Sequence, residues 1–290
     1  MKWRELALIV LAVGVCTVYA EAATAATHAP ADAKICRKHN EQGSNKGTTV
    51  HLGGGRHLYN GGNGNDKIFG GPKNDIINGG RGNDVVPGGG GEDVVCGGVG
   101  NDEVFGDKGR DKVFGEEQND YLEGGADNDY MNGQAGVDRL AGFGKRHGRA
   151  VADGRDFLDG SFDGDTLIAG GFDSLLGGAD NDVLSTKTKD EPVKKMDGYI
   201  GDDRITGSDA GDRLLFGDIG DDIIRGGGGN DKVDGGGSND DLFGGDGDDK
   251  VLGNDGTDKL SGENGDDDCD GGGGNHDSAD KTCERTRNVP

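Results

Sequence analysis

What this chain has little of sets the first limits. Of its 290 residues only 31% are hydrophobic and 5% aromatic, with a single tryptophan, too little apolar material to close an ordinary packed core. Lysine and arginine number 31 against 55 acids, a net charge of −24. Such an excess excludes nucleic acid and anionic membrane surfaces as partners, because both would repel the chain, and it makes cations the natural partner. Long apolar runs are also missing. The stretch from Leu6 to Val18 has thirteen residues, short of the ~20 that a bilayer core requires, so no membrane insertion is expected.

Catalytic signatures are absent as well. The six histidines, at 28, 39, 51, 57, 147 and 276, show no metal-ligand spacing. There is no His-Glu-x-x-His and no Gly-x-Ser-x-Gly, and Gly142-Phe143-Gly144-Lys145 lacks the Ser or Thr that completes a P-loop. The pairs Asp246/Asp248 and Asp163/Asp165 have the elements of an acid and a base, but they lie among repeated segments. The longest non-repeat stretches, 21–60 and 142–197, are too short for a catalytic domain. A non-enzymatic protein is expected.

Lys2 and Arg4 precede the apolar stretch, and Val18-Tyr19-Ala20 supplies a small-residue site, so residues 1–20 read as a cleaved export signal and the protein as secreted and extracellular. Cleavage removes Cys16 and leaves Cys36, Cys96, Cys269 and Cys283. An even count in an exported chain points to disulfides, with three pairings open. Cys269 with Cys283 and Cys36 with Cys96 is the preferred one. No Cys-x-x-Cys marks a thiolate metal site.

What the chain has in abundance is glycine, 62 residues, and it is laid out with a period. Rows of nine begin at Gly61 and run unbroken to the row of Gly133, each with Gly first, Asp sixth and an apolar residue eighth. The acids are Asp66, Asp75, Asp84, Asp93, Asp102, Asp111, Asp120, Asp129 and Asp138, and the apolar positions run from Ile68 and Ile77 to Leu140. A second array starts at Gly198, slips one residue at Phe216 and reaches the row of Gly262. Its acids are Asp203, Asp212, Asp222, Asp231, Asp240, Asp249, Asp258 and Asp267.

Residues 142–197 keep fragments of the pattern, Asp156-Phe157-Leu158, Asp165-Thr166-Leu167 and Asp182-Val183-Leu184. The phase is broken there twice, by GFGKRHGRAVADG and by the cationic TKTKDEPVKKMD. In the final row Cys269 takes the aliphatic place, and after it His276 stands where an acid is due. The organisation read from this is a signal (1–20), a polar lead-in and N-terminal cap (21–60), a first array (61–141), a degenerate and partly stacked segment (142–197), a second array (198–275) and a C-terminal cap (276–290).

Gly61-Gly62-Asn63-Gly64-Asn65-Asp66-Lys67-Ile68-Phe69 resembles the glycine-rich G-G-x-G-x-D-x-U-x nonapeptide of the RTX calcium-binding family. The resemblance covers roughly 61–141 and 198–275 and implies a parallel β-roll with calcium in the turns between coils. Asp107, Glu116, Gln134, Lys73, Gln118, Asp127, Ala210 and Ser238 replace the second or fourth glycine, which puts the calcium sites of those turns in doubt. CDGGGGNHDSADKTCE resembles the tail of exported bacterial RTX-repeat proteins, which implies a Cys269–Cys283 bridge closing the C-terminal end. The family carries over calcium binding and export, and no reaction.

The spacing has its own logic. Two or three residues around position eight suit a short strand, and the six before it a turn in which glycine permits positive φ. Two nines make one coil, so the acids form two columns. The expected fold is all-β, a parallel β-roll or right-handed β-helix-like solenoid, in two stacks joined by the degenerate segment. Acids stacked at about 4.8 Å repel one another unless neutralised, and one aliphatic side chain per row returns little against the ordering of nine residues.

Calcium fits, since it takes six to eight oxygens from carboxylates and carbonyls in flexible geometry, whereas magnesium demands a strict octahedron. The expected ligands are the acids of both arrays, with Asp165 and Asp182, and the carbonyls of Gly62, Gly64, Gly80, Gly82, Gly98, Gly100, Gly227, Gly229, Gly245 and Gly247. One ion between row n and row n+2 gives a ceiling of about thirteen Ca2+, and folding on binding is expected. A structural, surface or matrix role follows. Outward Lys67, Phe69, Phe105, Phe114, Tyr121, Tyr130, Arg213, Lys232 and Phe243 form no regular ladder, and an extracellular or cell-surface polysaccharide, bound or acted on, is the alternative partner.

Overall fold

The computed structural model describes residues 46–143, 154–187, 190–274 and 276–289. Among them every regular element is a strand, and the strands form two parallel sheets of thirteen. One sheet holds the odd-numbered strands from β1 (Thr49–His51) to β25 (Ser278–Ala279), the other the even-numbered strands from β2 (Leu58–Asn63) to β26 (Arg285–Arg287). Successive strands alternate between sheets, so a coil takes one strand from each. Neighbours within a sheet lie two rows apart: Ile77 of β4 (Ile76–Arg81) pairs with Val95 of β6 (Val94–Val99). This is a parallel β-roll.

The eighth-position side chains form the core. From Ile68 and Ile77 through Leu140 to Leu260 they are at most 2% exposed and pack in file between the sheets. The strands are longer than the sequence reading allows. In β4 positions seven to nine of one row, Ile76, Ile77 and Asn78, continue through Gly79, Gly80 and Arg81 of the next, leaving three residues for the turn. The ladder carries on through the glycines because Gly62, Gly80 and Gly98 pair with one another across coils.

Gly80 and Gly98 turn the chain with φ of 113° and 118°. Most substituted rows keep that geometry: Glu116 and Gln134, in register with Gly98, have φ of 86° and 76°, and Gln118, Asp127 and Ser238 hold 78°, 78° and 90° at the fourth position, whereas Lys73 and Ala210 do not lie at positive φ. Non-glycine residues held there cost about 1–3 kcal/mol each. Stacking against the neighbouring coils holds them.

The segment between the arrays stacks throughout its described residues. β10 (Tyr130–Ala135) pairs with β12 (Phe157–Phe162), β11 (Arg139–Phe143) with β13 (Thr166–Ala169), and β14 (Ser174–Ala179) with β16 (Lys195–Ile200), which pairs with β18 (Leu215–Ile219). The two arrays therefore share one continuous pair of sheets. Acids of adjacent coils lie 18 residues apart through most of the arrays, 27, 17 and 21 apart across this segment, and 19 apart from Asp203 to Asp222, where the second array slips. Residues 144–153 and 188–189 lie outside the described residues. The one-residue slip falls earlier than Phe216. Leu215 faces the core and pairs with Met196 and Val233, so the extra residue enters between Asp212 and Leu215.

Both ends are coils too. β1 and β2 draw the lead-in into the stack, and β25 and β26 extend the sheets into the segment read as a cap. Cys269 and Cys283 form a disulfide, with Cα atoms 5.8 Å apart, inside the core file. Cys96 is fully buried and disulfide-bonded. Cys36 and residues 1–20, read from the sequence as an export signal, lie outside the described residues. Phe114, expected to face outward, is fully buried. Tyr130 stacks on Phe157 with ring centroids 5.6 Å apart and meets Phe114 at an angle at 5.9 Å, and Phe105 meets Tyr121 edge-on at 6.0 Å.

Candidate metal centre

Each sixth-position acid closes its turn, and in every row of the two arrays but that of Asp75 its carboxylate folds back over the first glycine of its own row. A Cβ on Gly97 would stand 2.5 Å from Oδ2 of Asp102 and 2.9 Å from the carbonyl oxygen of Gly115; one on Gly79 would stand 2.5 Å from both Oδ2 of Asp84 and the carbonyl oxygen of Gly97. The first glycine is thus required by space rather than by φ. A carboxylate oxygen and a carbonyl oxygen of the next coil border the place where a side chain would begin.

The acids are 0–4% exposed and stand in two columns. In the first, Oδ1 accepts the backbone N–H of the acid one coil earlier: Asp66 donates to Asp84 at 2.6 Å, Asp84 to Asp102 at 2.7 Å and Asp102 to Asp120 at 2.8 Å. The relay continues through Asp138, Asp165, Asp182, Asp203, Asp222, Asp240 and Asp258 to Asp277. The second column runs from Asp75 through Asp93, Asp111, Asp129 and Asp156 to Asp173. It resumes at Val193, which donates to Asp212, and passes by Asp231, Asp249 and Asp267 to Glu284.

All the sequence-predicted acids fall in these columns. The predicted glycines Gly62, Gly64, Gly80, Gly82, Gly98, Gly100, Gly227, Gly229, Gly245 and Gly247 all sit at positive φ, from 87° to 150°, at the corners of the coils. Four acids of the columns were missed, Asp156, Asp173, Asp277 and Glu284. Insertions hide their phase, although Asp156-Phe157-Leu158, Asp173-Ser174-Leu175 and Asp277-Ser278-Ala279 keep the acid two places before a core-side residue. His276 does not hold the acid position of the last row; Asp277, 3% exposed and accepting the N–H of Asp258, does. A second relay runs the other way at the fifth position, where Asn65 accepts from Asn83, Asn83 from Asn101 and Asn101 from Asn119.

The other carboxylate oxygen decides what the columns can do. Oδ2 is buried without a hydrogen-bond donor in Asp66, Asp84, Asp93, Asp102, Asp111, Asp120, Asp138, Asp165, Asp182, Asp203, Asp222, Asp231, Asp240, Asp249, Asp258, Asp267 and Asp277. A buried anionic oxygen with no partner is costly. Its cost appears in the proton affinities. Burial first, then neighbouring carboxylates, pushes Asp84, Asp138, Asp182 and Asp222 up to about 7, Asp111, Asp165, Asp231 and Asp240 to about 8, and Asp120 to about 9. For Asp120 the repelling groups are Asp102, Asp138 and Glu116, and the N–H of Asp102 pulls the other way.

Donor chemistry selects the ion. Among the described residues no point gathers three or more His, Cys, Asp or Glu side chains, and the oxygens that border the turns come from carboxylates and backbone carbonyls. Hard oxygens of mixed origin at loosely fixed angles suit calcium over magnesium, and exclude metals that call for nitrogen or sulfur. The orphaned Oδ2 atoms and the side-chain-free hollow over each first glycine fit such an ion.

The RTX calcium-binding nonapeptide repeat model matches residues 60–95, 69–104, 105–140, 169–186, 216–251 and 243–275, together more than half of the chain. No curated protein matches it. The matched segments carry the columns through both arrays and into the stretch between them, and the chain belongs to the RTX calcium-binding nonapeptide repeat family.

Proposed function

We propose that this is a secreted, non-enzymatic protein that folds as it binds calcium and serves a structural, surface or matrix role outside the cell. The single observation behind this reading is the two columns of buried carboxylates, in which all acids of the first column, and of the second column Asp93, Asp111, Asp231, Asp249 and Asp267, keep an Oδ2 with no donor. The ligands are those Oδ2 atoms, with carbonyls of the corner glycines from Gly62 and Gly64 to Gly245 and Gly247. When bound, calcium supplies the positive charge that lets stacked carboxylates stay ionised in a dry place. The chain supplies spacing: the Oδ1 relay fixes each carboxylate, and the strands fix the distance between coils.

Because no preformed site exists in the unfolded chain, binding free energy becomes folding free energy. The test is a calcium titration of the chelated full chain followed by far-UV circular dichroism, with bound calcium counted in parallel. A transition from coil to β signal between micromolar and millimolar calcium is expected. A chelated chain with the full β signal and protease resistance would overturn folding on binding, and a chain that retains no calcium would overturn the whole reading.

A further inference from the structure

The two columns are not equivalent. In Asp75, Asp173 and Asp212, all of the second column, Oδ2 is already taken. It accepts a backbone N–H from its own turn, from Gly71 at 2.8 Å, Gly170 at 2.7 Å and Ser208 at 2.7 Å. The turns themselves are built differently. Second-position residues such as Gly62, Gly80, Gly98 and Glu116 lie at positive φ, whereas Gly71 and Ser208 do not, and this swings their N–H onto the carboxylate. Ser208 seals its turn further, its hydroxyl donating to Oδ1 of Asp212 at 3.0 Å.

Between Asp173 and Asp212 the column holds no acid. Val193 stands there, 1% exposed, within the hydrophobic core, donating its N–H to Oδ1 of Asp212 at 2.7 Å. Three successive coils of this edge thus present two satisfied carboxylates around a valine, and the acid nearest that valine in sequence, Glu191, is exposed and lays its carboxylate over Gly171 instead of joining the column. The N–H that meets Oδ2 places the positive end of a dipole where a cation would have to approach, and valine offers no oxygen at all. On the opposite edge every acid from Asp66 to Asp277 leaves Oδ2 open.

We infer that calcium forms an unbroken file along the edge of Asp66 to Asp277 but is excluded from the opposite edge at Asp75 and across the coils of Asp173, Val193 and Asp212, dividing that file into two runs. This rests on the calcium-binding reading above. The middle coils are held on that edge by their own hydrogen bonds and by the core, so the ion load is lopsided.

The test is the number of calcium ions retained per full-length chain at saturation, by native mass spectrometry with elemental analysis. Asp75→Asn and Asp212→Asn are expected to keep the wild-type count, and Asp84→Asn and Asp240→Asn each to lose one or two ions. Equal losses in all four would overturn the inference while leaving calcium binding intact; a wild-type chain with no bound calcium would overturn the underlying reading instead. Should a variant fail to fold, an anomalous difference map from calcium-loaded wild-type crystals answers directly. Density beside Oδ2 of Asp84 and Asp240 with none beside Asp75, Asp173 or Asp212 is expected, and an ion at any of those three would refute it.

Discussion

The backbone N–H of Asp102 donates to Oδ1 of Asp120 at 2.8 Å, while Oδ2 of the same carboxylate stays buried with no donor. One oxygen ties coil to coil and the other is left for the proposed ion, so two substitutions separate the roles. Asp120→Asn keeps an acceptor for Asp102 and removes the charge; Asp120→Ala removes both. Both variants are expected to bind calcium more weakly. Asp120→Ala should lose about 1–3 kcal/mol more stability, the cost of a buried N–H left alone. Calorimetric melting with calcium measures this, and identical midpoints for the two variants would contradict the division.

The metal-free chain should respond to pH opposite to an ordinary acidic protein. An unfolded Asp titrates near 3.9, whereas burial holds Asp84, Asp138 and Asp222 near 7 and Asp111, Asp231 and Asp240 near 8 in the fold. Folded pKa values above the unfolded one mean that the folded state binds more protons. Their contribution is complete below about pH 4 and is lost as pH rises through 7 to 8. Chelated protein is expected to gain β signal on acidification from pH 8 to 4; a loss of signal over that window would contradict the burial of these groups.

Calcium must displace whatever protons these acids hold. At about pH 5, where the metal-free fold keeps its buried acids protonated, binding is expected to release protons; at about pH 8, where the unfolded chain already carries ionised acids, it should release almost none. Isothermal calorimetry in two buffers of different ionisation enthalpy reads the release directly, as a difference in apparent binding enthalpy. Equal enthalpies in the two buffers at the lower pH would show that the acids are already ionised there.

Gly97→Ala places a methyl 2.5 Å from Oδ2 of Asp102 and 2.9 Å from the Gly115 carbonyl, while Gly54→Ala meets nothing within 4 Å. The first is expected to cost about 1–3 kcal/mol by overpacking and to lower the calcium count, and the second to be near neutral. Chemical denaturation in calcium distinguishes them, and equal midpoints would mean that the hollow over the first glycine is not a constrained site.

Cys283→Ser opens a loop of sequence separation 14 at the end of the core file. About 3 kcal/mol of stability should be lost on the chain-entropy estimate, with the last coils fraying first. Hydrogen exchange over residues 259–287 in calcium checks this; protection unchanged from wild type would assign the bridge no structural part.

The sequence carries the columns openly because an acid two places before an inward aliphatic is a local pattern, and a nine-residue period keeps it in phase. It conceals the strand length, since glycine has poor strand propensity and only pairing such as Gly62 with Gly80 and Gly98 keeps positions one to three in the ladder. Asp173 and Asp277 escape a phase-locked reading because their coils differ by one or more residues from eighteen. Whether Oδ2 is open or sealed depends on the φ of the residue at the second position. Gly71 and Gly80 are the same amino acid in the same place, and only the folded turn tells them apart.

Coils of 27, 17, 21 or 19 residues still lay their strands in register. What is transmitted from rung to rung is a pair of strands, and each rung answers only to its immediate neighbours. Genes of this design can therefore lengthen by duplication, or accept foreign loops between rungs, without retuning distant parts, so that overall reach and surface decoration evolve independently of the scaffold beneath them.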